Sequence, residues 1–328
     1  MTKSQAAKYV ITAASLWGCI SLFAKGLYSV GLEPLQVTAI RVAVGTLGLG
    51  AFLLATDGSK LRIRPRDIWL FVGTGVVSLT LFNLCYFTMV QQSEPSLAVV
   101  LLYTSPAFVM LMSALLFKER ITLKKIGALV LTLAGCVLVA GLFGGSVTLS
   151  PLMLLIGVAS GFFYATYSIF GTVALKRYHP LTVAFYTFAA ALVCTLFFCD
   201  YSAIGQAVMT DASTIGYILG IGVLCTILPY ALYNQGLKHL EASHAGILAT
   251  AEPVVGALIG IFVFGDTTDV TKLLGMAFIL ASAVLLSLGS KPETERLTET
   301  GHHPQKAASQ SAPKSQPVAS IQPATNVE

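Results

Sequence analysis

The sequence predicts an all-α membrane protein of about ten transmembrane helices, arranged as two inverted five-helix repeats, and three observations carry the prediction. The first is composition. The chain has 328 residues, 55% hydrophobic and only 11% charged, with a mean hydropathy of +0.79, whereas soluble domains carry about 25% charged residues. The second is that apolar segments of about 20 residues, the length that spans a bilayer core, follow one another with short joints. The third is an internal repeat. TSPAFVMLMSALLFKE (Thr104–Glu119) returns as AEPVVGALIGIFVFGD (Ala251–Asp266), with Pro106, Phe117 and Glu119 matching Pro253, Phe264 and Asp266 at an interval of 147 residues (106 to 253). The interval extends upstream, where Tyr86, Glu94, Ser96 and Ala98 match Tyr233, Glu241, Ser243 and Ala245.

In chain order, the apolar segments fall near residues 9–28, 35–55, 68–90, 96–117 and 126–143, then 151–175, 180–199, 214–235, 243–264 and 271–289. The first repeat is expected over residues 8–142 and the second over 151–289. Lys3 and Lys8 precede the first apolar run as they would in a signal peptide. No small-residue cleavage site follows, so the run reads as the first membrane helix. The fourth and ninth segments each hold a proline inside the span. A soluble helix rarely keeps one there, because proline removes a hydrogen bond and clashes with the preceding turn. Within a membrane, neighbouring helices or a cavity can satisfy the freed carbonyl. Residues 290–328 change to Pro, Ser, Gln, Thr and Ala with few large apolar side chains, and are expected to form a disordered cytoplasmic tail.

Charge sets the expected orientation. With the N-terminus in the cytoplasm, the inner joints hold Lys60, Arg62, Arg64 and Arg66, then Lys118, Arg120, Lys124 and Lys125, then Lys176 and Arg177, and finally Lys238. The outer joints hold only Lys272. This is the asymmetry of the positive-inside rule, and it accounts for the net charge of +5 without a nucleic-acid partner. Ten spans bring both termini inside. Five spans per repeat is an odd number, so the second copy enters from the opposite side, an inverted arrangement that recurs in secondary transporters.

These features resemble one known family. FKERITLKKIGALVLTLAGCVLV (Phe117–Val139) is similar to the glycine-rich fifth helix, following G-E-R-L-T, of EamA-type members of the drug/metabolite transporter superfamily. Ala251–Asp266 resembles their E-P-V-x-A-x-L-G-x-x-x-x-G-E, and SLWGCISLFAKG (Ser15–Gly26) their first helix. The likeness covers about residues 8–289. Lys118 stands where the family has glycine, Asp266 where it has glutamate, and one extra residue precedes the last helix of the second copy. The resemblance implies a ten-helix transporter of small metabolites, often an exporter of amino acids or related compounds.

Few side chains inside the spans are ionisable: Lys25 near the end of the first, Arg41 in the second and Glu252 near the middle of the ninth. A charge at bilayer depth costs about 2.5–3.5 kcal/mol on the insertion scale, which marks such a residue for function. Lys25 can snorkel to the interface. Arg41 has a planar fork that suits a carboxylate, or serves structural hydrogen bonds. Glu252, beside Pro253, is a candidate proton carrier coupling transport to a gradient, or a fixed partner of the bent backbone; its counterpart is Ser105.

Polar and aromatic groups recur nearby. Asn83 and Tyr86 share a helix face, as do Tyr230 and Tyr233 at the matching interval, and Tyr164 and Tyr167. Tyr103 precedes Pro106 by one turn, and Trp17 sits deep beside Gly18. These are candidate solute contacts, the alternative being interhelical packing and hydrogen bonds. Trp69, near Arg66, reads as an interface anchor.

No phosphate cradle, metal-binding H-E-x-x-H or nucleophile elbow occurs, so neither ATP hydrolysis nor catalysis has a motif, and no cofactor or metal is implied. The six cysteines all lie in apolar spans without a C-x-x-C, as small buried hydrophobes do. The expected function is secondary transport of small solutes through a cavity between the repeats, in contact with the lipid bilayer, with a proton as the candidate coupling ion. The alternatives are an intramembrane enzyme, which would need clustered acids or histidines, and a sensory or structural membrane protein.

Overall fold

A computed structural model describes residues 1–92, 95–140, 150–265 and 269–287, and every regular element among them is helical. Among the described residues, seven helices are long and apolar enough to cross a membrane: α1 (Lys3–Ser29), α2 (Pro34–Leu61), α3 (Pro65–Val90), α4 (Leu97–Phe117), α6 (Pro151–Leu175), α8 (Ser213–Leu237) and α9 (Ala242–Phe264). Three shorter helices lie between or after them: α5 (Leu123–Val139), α7 (Pro180–Thr195) and α10 (Val270–Ser287). The joint expected between residues 200 and 213 contains a helix of its own, Tyr201–Thr210. Its start is set by Asp200, whose carboxylate accepts from the Ser202 N–H at 2.9 Å. The expected tail lies outside the described residues.

Helix starts follow local chemistry. Proline occupies the first turn of α2, α6 and α7, where its missing N–H would have been unpaired anyway. Thr122 caps α5 and Ser150 caps α6. The six cysteines are free.

Several helices depart from regular geometry, and three of the departures recur 147 residues apart. Gly73–Thr80 in α3 and Gly220–Ile227 in α8 are π-helical. α4 restarts at Ser105 and α9 at Glu252, each with proline as the next residue. Both helices end on a left-handed residue, Lys118 at φ 56° and Gly265 at φ 71°. Lys118 holds a conformation that glycine adopts without steric cost.

The packing partners also correspond. α1 lies on the second half of α8, as α6 lies on the second half of α3; α2 packs on α7, α4 on the start of α9, and α5 on α10. The α5–α10 crossing is the tightest of these for backbone. A Cβ at Gly135 would meet Gly275 O at 2.7 Å, and one at Gly275 would meet Gly135 O at 2.7 Å. Small residues permit such approach, and a buried hydrogen bond from Thr132 to Ser282 at 2.9 Å adds to it. Trp69 is 53% exposed and meets the ring of Phe170 edge-to-face.

Candidate functional site

A cavity of about 650 Å³ runs from the middle of the bundle to one end of it. At depth it is lined by Trp17, Arg41, Asn83, Tyr86, Tyr103 and Glu252, and toward its mouth by Lys25, Tyr28, Pro34 and Lys272. A smaller pocket of about 80 Å³ adjoins it, sharing Trp17, Arg41, Phe82, Asn83 and Glu252 and adding Tyr164, Tyr167, Tyr230 and Tyr233. All ten residues singled out from the sequence therefore line one connected space.

Local geometry brings the deep charges there. In α1, Gly18 lets the chain approach α9 so closely that a Cβ would meet Glu252 O at 2.8 Å, which sets Trp17 and Glu252 side by side on the wall. Glu252 opens the second segment of α9 and is half-buried. Among the described residues its carboxylate has neither a hydrogen bond nor an ion pair. Arg41 donates through Nε to Thr226 Oγ1 at 3.0 Å and through Nη2 to Cys225 O at 3.5 Å, leaving Nη1 without a partner among the described residues. Both acceptors belong to the π-helical turn of α8.

The tyrosines divide by what their hydroxyls do. Tyr167 donates to Asn234 Oδ1 at 2.8 Å, and Tyr233 shares a hydrogen bond with Ser168 at 2.8 Å. With Trp17, Tyr230 and Phe188 they form an aromatic cluster, with ring centroids 5.0 Å apart for Phe188 and Tyr230 and 5.2 Å for Trp17 and Tyr230, both edge-to-face. Trp17, Tyr167, Tyr230 and Tyr233 of this cluster line the smaller pocket. Among the described residues, Tyr86, Tyr103, Tyr164 and Tyr230 have no hydrogen-bond partner for their hydroxyls. Asn83 donates to Leu79 O at 2.6 Å, a carbonyl inside the π turn of α3, and its amide oxygen has no partner among the described residues. The indole N–H of Trp17 is buried and unpartnered, and so is the Ser21 hydroxyl.

The opposite end of the bundle is closed by polar contacts. Asp67 pairs with Arg177 and accepts from the Tyr178 hydroxyl at 2.6 Å. Burial first, and this hydrogen bond second, push the Tyr178 hydroxyl above its ordinary pKa. Tyr178 also accepts from Arg64 N at 3.1 Å, and Thr182 and Tyr186 donate to Lys60 O and Leu61 O at 2.8 and 2.6 Å. Beside them Glu119 accepts from Ala242 N at 2.8 Å and from Ser243 Oγ, while Lys125 joins it to Glu241.

Thr226, Ser21 and Phe82 were not singled out from the sequence. A signal for Thr226 existed: GTGV at Gly73 and GIGV at Gly220 repeat at the 147-residue interval and open the two π turns. Lys25, expected to snorkel, places Nζ 3.4 Å from the centroid of the Phe264 ring at the cavity mouth. No group of three or more His, Cys, Asp or Glu side chains able to hold a metal occurs among the described residues.

Comparison with known proteins agrees with this architecture. An uncharacterized transporter of Archaeoglobus fulgidus is 29% identical over 286 residues, covering 84% of this chain and 94% of the relative. The threonine/homoserine exporter RhtA of Escherichia coli (strain K12) is 30% identical over 292 residues, covering 87% of this chain and 92% of that protein. A solved crystal structure shares the fold with a TM-score of 0.72 at 22% identity, over 90% of this chain and 99% of that one. The model of the EamA-like transporter family matches twice, over residues 5–141 and 151–288. A multi-pass helical chain whose two halves each match that model belongs to the EamA-like transporter family.

Proposed function

We propose that this protein is a secondary transporter that moves small polar metabolites, amino acids or close relatives of them, out of the cell by alternating access. Ten helices, α1 to α10, form two inverted repeats over residues 8–142 and 151–289, with residues 290–328 as a tail and both termini in the cytoplasm. The pairing of π turns, helix breaks and packing partners at one interval supports the repeat. The joints that touch one another support the alternation, since 58–67 meets 176–186 and Glu119 meets Ala242, all on the side expected inside.

The observation that carries the solute assignment is that Arg41 and Glu252 line one cavity without pairing with each other. Arginine only donates hydrogen bonds and an ionised carboxylate only accepts them, so the two call for a solute with an anionic end and an amino end. The tyrosine hydroxyls between them can do either. The name of the relative RhtA supports amino acids and the outward direction. The cavity opens at the end bearing Lys25 and Lys272, opposite the Glu119 and Asp67 contacts, which matches an outward-facing state. Exchange of conformation between the repeats would open the other side. Glu252 serves as the proton carrier of the cycle, since an acid at this depth can be neutralised by a proton or by an amino group.

The test is flux in proteoliposomes. Purified protein should exchange labelled L-threonine or homoserine for the unlabelled compound, and R41A should abolish exchange while keeping the parent's elution profile. A parent protein that exchanges none of the amino acids offered contradicts the assignment.

A further inference from the structure

The π-helical turn of α8 offers α2 acceptors that a regular helix would keep to itself. Thr226 donates to Ile221 O, five residues back, at 2.9 Å and accepts from Arg41 Nε. It is 1% exposed, so water cannot replace it in that role. The first repeat builds the matching turn, where Leu79 stands at the position of Thr226 and its neighbour Thr80 donates to Gly75 O at 3.1 Å. α7 packs on that turn through Thr187 and Thr74, 2.7 Å apart, but at the position matching Arg41 it carries Phe188. One π turn therefore seats a cation, while its counterpart lies under a helix with a ring in that place. Such turns are rare and concentrate at functional sites.

We propose that Thr226 is a positioning residue for solute recognition. By occupying Nε, and with Cys225 O occupying Nη2, the turn fixes the plane of the Arg41 guanidinium and reserves its remaining N–H groups for the cavity. A carboxylate gains most from a fork that is already oriented. The seat is on one repeat only, so the solute binds in one orientation, its carboxylate toward α2 and α8 and its amino group toward Glu252 on α9. This rests on the amino-acid reading above.

The experiment compares the parent, T226V and T226S in proteoliposomes, with L-threonine as solute and 1-amino-2-propanol, which lacks the carboxylate, as competitor. Valine keeps the shape and removes the hydroxyl; serine keeps the hydroxyl. T226V should raise the half-saturation for L-threonine about tenfold, the effect of one hydrogen bond to a charged group. Its maximal rate should stay within about twofold, and inhibition by the amine should be unchanged. T226S should restore the parent's half-saturation. The inference is overturned if T226V binds L-threonine as the parent does, or if it loses the amine equally, as a merely structural residue would. A parent that carries no amino acid overturns the solute assignment itself, and does so before any variant is compared.

Discussion

The Glu119 carboxylate accepts a hydrogen bond from the Ala242 N–H at 2.8 Å, joining the end of α4 to the first turn of α9 across 123 residues of chain. The same carboxylate takes the Ser243 N–H at 3.3 Å and lies 3.5 Å from Lys125 Nζ, and both ionic side chains are about nine-tenths buried. An acid at a helix N-terminus answers the unpaired N–H groups and the positive end of the helix dipole together. Lys125 also reaches Glu241 at 2.6 Å, but that partner is 53% exposed and water screens it. The contact with Glu119 is therefore the stronger tie.

E119A should destabilise the protein by about 2 kcal/mol, because it uncaps α9 and leaves the buried Lys125 only its exposed partner Glu241. E119Q, which keeps acceptor geometry at one oxygen, should cost less. Chemical denaturation in detergent reads both. E119A within about 0.5 kcal/mol of the parent, the range of ordinary surface substitutions, would show that the contact carries no weight.

The α5–α10 crossing predicts a contrast between two glycines of one helix. G135A forces a Cβ against Gly275 O and should cost about 1–3 kcal/mol, since two backbones must part. At Gly127 the nearest atom to a Cβ is Leu285 Cδ2 at 3.7 Å. G127A should be neutral or stabilising by up to about 1 kcal/mol, because alanine favours the helix. Equal effects at the two positions would contradict this packing.

Topology is tested by single cysteines in a cysteine-free background. Position 64, in the joint held to Tyr178, should resist a membrane-impermeant maleimide added outside, and position 206, exposed on the helix Tyr201–Thr210, should react. The reverse pattern would invert the protein in the membrane and place the cavity mouth inside.

Most of the architecture is legible in the sequence because membrane physics leaves few choices. A run such as 151–175 can only be a helix in lipid, and its observed bounds, Pro151–Leu175, are those expected. The deep polar residues were legible for the same reason: Arg41, Glu252 and the tyrosines tolerate burial only against a cavity or a partner. Which of those two each one meets was not legible. Among the described residues Tyr167 and Tyr233 have hydrogen-bond partners while Tyr164 and Tyr230 have none, and that depends on where Asn234 and Ser168 sit on the facing helix. The helix Tyr201–Thr210 was hidden in a joint because it is too short to carry a spanning signal. Nor does pattern reveal that Glu119 closes on Ala242, since the repeat interval links residues that correspond, not residues that touch.

Glu252 is the proposed proton carrier inside the solute cavity, and one substitution tests that role most directly. Glu252→Ala removes charge, volume and hydrogen bonding at once and cannot separate a coupling role from a structural one. Glu252→Gln keeps shape and hydrogen bonding but cannot take up a proton. In proteoliposomes with an imposed pH gradient, the parent should accumulate L-threonine against its own gradient. Glu252→Gln should exchange labelled for unlabelled L-threonine yet accumulate none, with a rate that no longer varies with pH. Accumulation by Glu252→Gln at the parent's rate, with the parent's pH profile, would contradict the account and leave Glu252 a fixed partner of the α9 break.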